Sequence, residues 1–125
     1  MFDHVVLSVS KLARSVAFYE AVLAPLGVKG RVSYPGHAGH APLEGFGDGD
    51  ERYLLLKKGK PDKAAVHLAF RAKSRKAVNA FYAAAIEAGA RDNGPPGPRP
   101  QYFADYYAAY VLDLDGYNIE ALYQG

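Results

Sequence analysis

The chain carries four histidines and no cysteine. Thiolate ligands, disulfides and cysteine nucleophiles are therefore excluded, and imidazole becomes the natural candidate for metal ligation or proton transfer. Two of the four histidines recur in register. His4 stands fourteen residues before the pair Phe18-Tyr19, and His67 stands fourteen residues before Phe81-Tyr82. Ala17 and Ala21 recur as Ala80 and Ala84 at the same spacing of sixty-three positions, and Gly27 and Gly89 close the two stretches. A histidine repeated with its surroundings is the mark of a duplicated structural unit, and duplication places equivalent side chains at equivalent positions. The other two, His37 and His40, lie three apart in PGHAGHA. They read as a solvated loop able to cover a cleft. Glu44 reads as an exposed strand residue, whereas Glu120 is an acid set among Ile119, Ala121 and Leu122.

The elements that must position these residues follow from periodicity. FDHVVLSV (2 to 9) is short and β-branched and predicts a strand in which His4 shares a face with Val6 and Ser8, opposite Val5 and Leu7. The segment 12 to 27 changes to a helical period, with Leu12, Val16, Tyr19 and Leu23 on one stripe, Ser10 as its expected cap and Gly27 as its end. The second copy predicts a strand over 64 to 71, with His67 and Ala69 on one face, and a helix over 75 to 90 capped by Ser74. Strand-rich sequence follows each helix, at 28 to 34, 42 to 48 and 51 to 58, then at 106 to 113 and 117 to 123 beyond a Pro/Gly-rich loop and across the Asp115-Gly116 turn. Each half reads as βαβββ. The helices would bury their apolar stripes on the strand faces away from the histidines and leave these free on a concave side.

A chain of 125 residues holds one core, so the two halves, about 1–60 and about 64–125, are expected to share a single domain over 1–125. Half of the residues are hydrophobic and the net charge is +2, an ordinary globular balance. The basic clusters KKGKPDK and RAKSRK read as solvated turns, so neither nucleic acid nor a membrane is the expected partner. The amino terminus is apolar but short and opens with an acid instead of a basic region, so it does not read as a secretory signal, and the absence of cysteine suits a reducing cytoplasm, the expected location.

The opening DHVVLSV with its FYEAVLAPLG helix, the HLAF strand and the closing VLDLDGYNIEAL resemble the vicinal-oxygen-chelate superfamily, which holds glyoxalase I, bleomycin-resistance proteins and extradiol dioxygenases. The resemblance covers nearly the whole chain. It implies an α+β fold of two paired βαβββ modules forming a curved mixed sheet around a cleft. It implies a divalent metal, Fe, Mn, Ni or Zn, held by His4 and His67 from the first strands of the two modules and by Glu120 from the last strand of the second. Two imidazoles and a carboxylate leave open positions for the paired oxygens of a small substrate. YVLDLDGYNIE is similar to the dioxygenase closing motif and implies that Tyr110 hydrogen-bonds the substrate. Leu55, or an immediate neighbour, falls where glyoxalase I carries a further glutamate, and Gln101, Tyr102 and Phe103 fall where the dioxygenases carry a catalytic histidine.

The family resemblance thus implies a glyoxalase- or dioxygenase-like metal-dependent enzyme, of lyase, isomerase or dioxygenase type, acting on a substrate with two neighbouring oxygens. The alternative is a metal-free binding protein of the bleomycin-resistance type that sequesters an aromatic or cationic small molecule, which the six tyrosines after residue 100 suit. A homodimer is expected, in which His4 of one chain could meet His67 and Glu120 of another.

Overall fold

The computed structural model describes residues 1–125. Strand β1 (Val5–Val9) leads into helix α1 (Leu12–Leu23), and a 3-10 turn over Ala24–Leu26 extends the helix to Gly27. Gly27 ends it in the left-handed conformation, φ +85°, which glycine adopts without strain. Then come β2 (Gly30–Tyr34), β3 (Leu43–Asp48) and β4 (Glu51–Lys58). The second half repeats the order with β5 (His67–Arg71), α2 (Arg75–Glu87), the short β6 (Arg91–Asp92) and β7 (Gly97–Pro98), and the long β8 (Tyr106–Leu112) and β9 (Asn118–Gln124). The expected loop over 92 to 101 therefore contains short strand pairings to β8.

Each half builds its own sheet. The order is β1-β4-β3-β2 in the first and β5-β9-β8-β6 in the second, with β7 also paired to β8. In both, the first strand runs parallel to the last strand of its own half. The duplication read from the histidines is thus a duplication of topology. It extends to register, because Val6 pairs with Leu55 as Ala69 pairs with Glu120. The curved surface is made of two sheets whose edge strands β1 and β5 are not paired with each other.

The helices supply the shared core. Phe18, Tyr19, Val22 and Leu23 of α1 and Val78, Phe81 and Ala85 of α2 are buried in one cluster with Leu7, Leu54, Leu56, Val111 and Ile119 from the sheets. Strand alternation explains the selection: Leu54 and Leu56 point to the helices, and Tyr53, Leu55 and Lys57 point away. Ser74 caps α2 as expected, accepting from the Ala77 amide at 3.0 Å. Ser10 does not cap α1. Its amide and hydroxyl instead both donate to Asp115, at 3.1 and 2.5 Å.

That contact belongs to a polar seam between the halves. The buried Tyr19 hydroxyl donates to Asp113, while Asp113 Oδ1 accepts the amides of Asp115 and Tyr117, each at 2.9 Å. The Tyr117 hydroxyl donates to the Ser8 carbonyl at 2.6 Å and accepts from the Asp62 amide. The Asp-Leu-Asp-Gly turn is thus also a clamp that holds the second half on the first. Neither helix is long and apolar enough to cross a membrane.

Candidate metal and substrate site

His67 opens β5 and Asn118 lies opposite it, so Glu120 follows two residues further along β9 on the same face. Long side chains reach such diagonal neighbours. His67 Nε2 lies 2.9 Å from Glu120 Oε1. The carboxylate is 3% exposed and the imidazole 49%, so the acid sits at the floor of the face and the histidine at its rim. The second carboxylate oxygen is also engaged: the Tyr106 hydroxyl donates to Oε2 at 2.5 Å.

Tyr106 comes from β8, where Tyr106, Ala108 and Tyr110 alternate onto the cleft face and Tyr107 and Val111 face the helices. Tyr110 lies directly across from Glu120. Its ring centroid is 6.2 Å from that of His67. Tyr102 and Phe103, from the loop before β8, pack on the Tyr106 ring at 5.3 and 6.4 Å between centroids. These rings, His67, Asn118 and Glu120 line an open cavity of about 500 Å3. Burial, reinforced by the Glu120 charge, pushes the Tyr106 hydroxyl up to about 12 and the Tyr110 hydroxyl well above its ordinary value. Both therefore remain O–H donors at neutral pH.

The donor set suits a hard or borderline divalent ion: neutral imidazole nitrogen and carboxylate oxygen. The spacing suits it as well. Two ligands about 2.1 Å from an ion and at a right angle stand about 3.0 Å apart. The observed Nε2–Oε1 separation is 2.9 Å.

His4 is elsewhere in the chain. It precedes β1, is about half exposed, and its Nδ1 lies 2.7 Å from Asp3 Oδ1. It lines a different cavity, of about 440 Å3, with Tyr34, Glu51, Tyr53 and Leu55. No third histidine or carboxylate of the same chain joins His67 and Glu120. The reason is the topology: the two halves form separate sheets, so equivalent residues occupy equivalent but separate half-sites. In the half-site of His4, the place of Glu120 is taken by the buried Leu55.

His37 and His40 face each other across a two-residue turn, exposed, with rings 4.5 Å apart, and line neither cavity. Glu44, expected to be exposed, is half-buried and bonded to Arg31 and Ser33. Tyr106 is the side chain that the motif comparison passed over. Its signal was present in the sequence, since it lies four residues before Tyr110 and a strand places both on one face.

Known proteins bear on this arrangement. A glyoxalase/bleomycin-resistance protein from Albidiferax ferrireducens T118 is 30% identical, with 99% of each chain covered and a TM-score of 0.82. At 17% identity, a fosfomycin resistance protein, FosX, from Listeria monocytogenes, solved as its E126Q mutant with Mn(II) and 1S,2S-dihydroxypropylphosphonic acid, has a TM-score of 0.68 over 97% of this chain and 87% of its own. TioX from Micromonospora sp. ML1, also 17% identical, has a TM-score of 0.66 over 98% and 94%. No curated protein matches the chain. The family model described as Glyoxalase/Bleomycin resistance protein/Dioxygenase superfamily matches residues 1–121. With the duplicated βαβββ order and the paired first and last strands of each half, this match establishes that the chain belongs to that superfamily.

Proposed function

We propose that the protein is a metal-dependent enzyme acting on a small substrate that presents two neighbouring oxygens. The carrying observation is the 2.9 Å approach of His67 Nε2 to a nearly buried carboxylate oxygen at the floor of an aromatic-lined cavity. His67 and Glu120 hold the divalent ion, Fe, Mn, Ni or Zn, and His4 of a second copy completes the set in a homodimer. An ion held there would supply Lewis acidity towards the substrate oxygens and the negative charge that develops on them. Tyr110, kept protonated, donates to a substrate oxygen and orients it. The rings of Tyr102 and Phe103 line one side of the cavity and offer it apolar contact. Lyase, isomerase and dioxygenase chemistries share these requirements, and FosX, of the same fold, was solved with both Mn(II) and a molecule that carries two neighbouring oxygens, which supports this reading.

Metal content and subunit mixing test this reading together. Wild-type protein is expected to hold about one ion per chain, and His4→Ala, His67→Ala and Glu120→Ala to hold far less. A heterodimer of His4→Ala with His67→Ala chains regains one intact site, because the undamaged His4 meets the undamaged His67 and Glu120. Wild-type protein that stays metal-free after soaking sinks the enzyme reading. It would favour the second one, a binding protein whose Phe103 and Tyr106 rings, stacked at 26°, hold an aromatic or cationic molecule.

A further inference from the structure

Glu120 can meet an ion through one oxygen or through two, and the protein has already disposed of one of them. We propose that Tyr106 is a positioning residue for the metal ligand: its hydroxyl holds Glu120 Oε2 so that Oε1 alone is presented beside His67. The proposal rests on the metal reading above and concerns how the ligand is aimed.

Three observations carry it. In a side chain that is 3% exposed, each carboxylate oxygen has a hydrogen-bonding partner, Oε1 with His67 at 2.9 Å and Oε2 with Tyr106 at 2.5 Å, and Tyr110 stands close by. Water therefore does not replace either partner freely. Second, the Nε2–Oε1 separation already equals the edge that two right-angled ligands of one ion require, about 3.0 Å. An ion can enter there once the Nε2 proton is released to solvent or carried on Nδ1 instead, with the carboxylate left as it stands and the Tyr106 bond intact. Two-oxygen ligation would instead swing Oε2 towards the ion and out of the place where the Tyr106 hydroxyl now meets it, although Oε2 keeps a second lone pair able to accept. Third, Tyr106 is itself held. Its ring packs on Tyr102 and Phe103, at 5.3 and 6.4 Å between centroids, and Ala108, the next residue on the same face of β8, is fully buried. Partners that orient ligating side chains in this way contribute about 10–100-fold to metal affinity.

Cobalt(II) titration followed in the visible spectrum tests the role, because the d–d bands report coordination as well as occupancy. Tyr106→Phe is expected to weaken Co(II) binding by about 10–100-fold and to alter the bands, as the freed carboxylate turns towards two-oxygen ligation. Tyr107→Phe is the control: it lies on the same strand but on the opposite face, and loses a hydroxyl bonded to Asn79 Oδ1 at 2.7 Å. It should keep the wild-type dissociation constant and spectrum. A Tyr106→Phe variant with wild-type affinity and bands overturns the positioning role while the site stands. Wild-type protein that takes up no Co(II) overturns the site and the role with it. Should Tyr106→Phe not fold, X-ray absorption of the wild-type Co(II) protein decides: one-oxygen ligation by the carboxylate is expected, and two-oxygen ligation refutes the role.

Discussion

The pseudo-symmetry of the two halves makes a sharp prediction for Glu120→Leu. Leu55 occupies the matching place in the first sheet and is buried there, so the backbone accepts leucine at this register. In the wild type a carboxylate is held out of water by two hydrogen bonds. Exchanging both members of a buried charged pair for apolar side chains is neutral to stabilising by about 1–4 kcal/mol, whereas removing one member costs about 3–5 kcal/mol where the other is left buried and unpaired. Because His67 is half exposed and can bond to water once freed, the lower end of the first range applies, about 1 kcal/mol. Over 125 residues, an unfolding entropy of about 2.1 cal/mol/K per residue converts this to roughly 4 °C. In chelator the variant should thus melt about 4 °C above the wild type by calorimetry. With Mn(II) at a hundredfold excess over its dissociation constant, the wild type gains about 2.7 kcal/mol, roughly 10 °C, and the variant gains nothing. The order of the two proteins inverts. A variant that melts more than about 4 °C below the wild type in chelator would show that the carboxylate serves the fold, and the reasoning would fail.

Burial raises Asp113 above its ordinary value of 3.8, outweighing the bonds from Tyr19 and from the amides of Tyr117 and Asp115. The folded state then holds the proton more tightly than the unfolded state does. The Asp113 contribution is therefore full below about pH 4 and is lost as pH rises through the raised folded value. Urea midpoints from pH 4 to 7 should fall more steeply in the wild type than in Asp113→Asn, and identical slopes would refute this. Ser74→Ala removes the oxygen that accepts the Ala77 amide and should cost about 1 kcal/mol, read as a drop of roughly 4 °C in the melting midpoint. No change would mean that water caps the helix equally well.

Much of the fold was legible in the sequence because it rests on local signals. The change from period 2 to period 3.6 marked both strand-to-helix transitions, and β4 falls on the expected 51 to 58. Helix α2 begins where Ser74 announced it. The Asp115-Gly116 turn was equally visible. Its second task, clamping Ser10 and Tyr19 through Asp115 and Asp113, was not, because these partners lie about a hundred residues apart and no local pattern links them. The same long range explains why Ser10 does not cap α1.

The site divides in the same way. The sequence by itself determined which residues recur: His4 and His67 share a register because the unit is duplicated, and Glu120 and Leu55 differ at one equivalent place. Strand alternation is a property of the chain and put His67 on the face opposite Leu68 and Phe70, but it left open whether Glu120 enters the cleft, and His4 precedes β1 instead of standing within the strand expected over 2 to 9. Which of them meet was decided only by tertiary structure. Separate sheets bring His67 to Glu120 and keep His4 with Leu55, and the length of a tyrosine side chain, rather than any motif, brings Tyr106 to the carboxylate. Register sets which way a side chain points, but contact depends on which sheet edge lies beside which, and that is fixed by packing of the whole core.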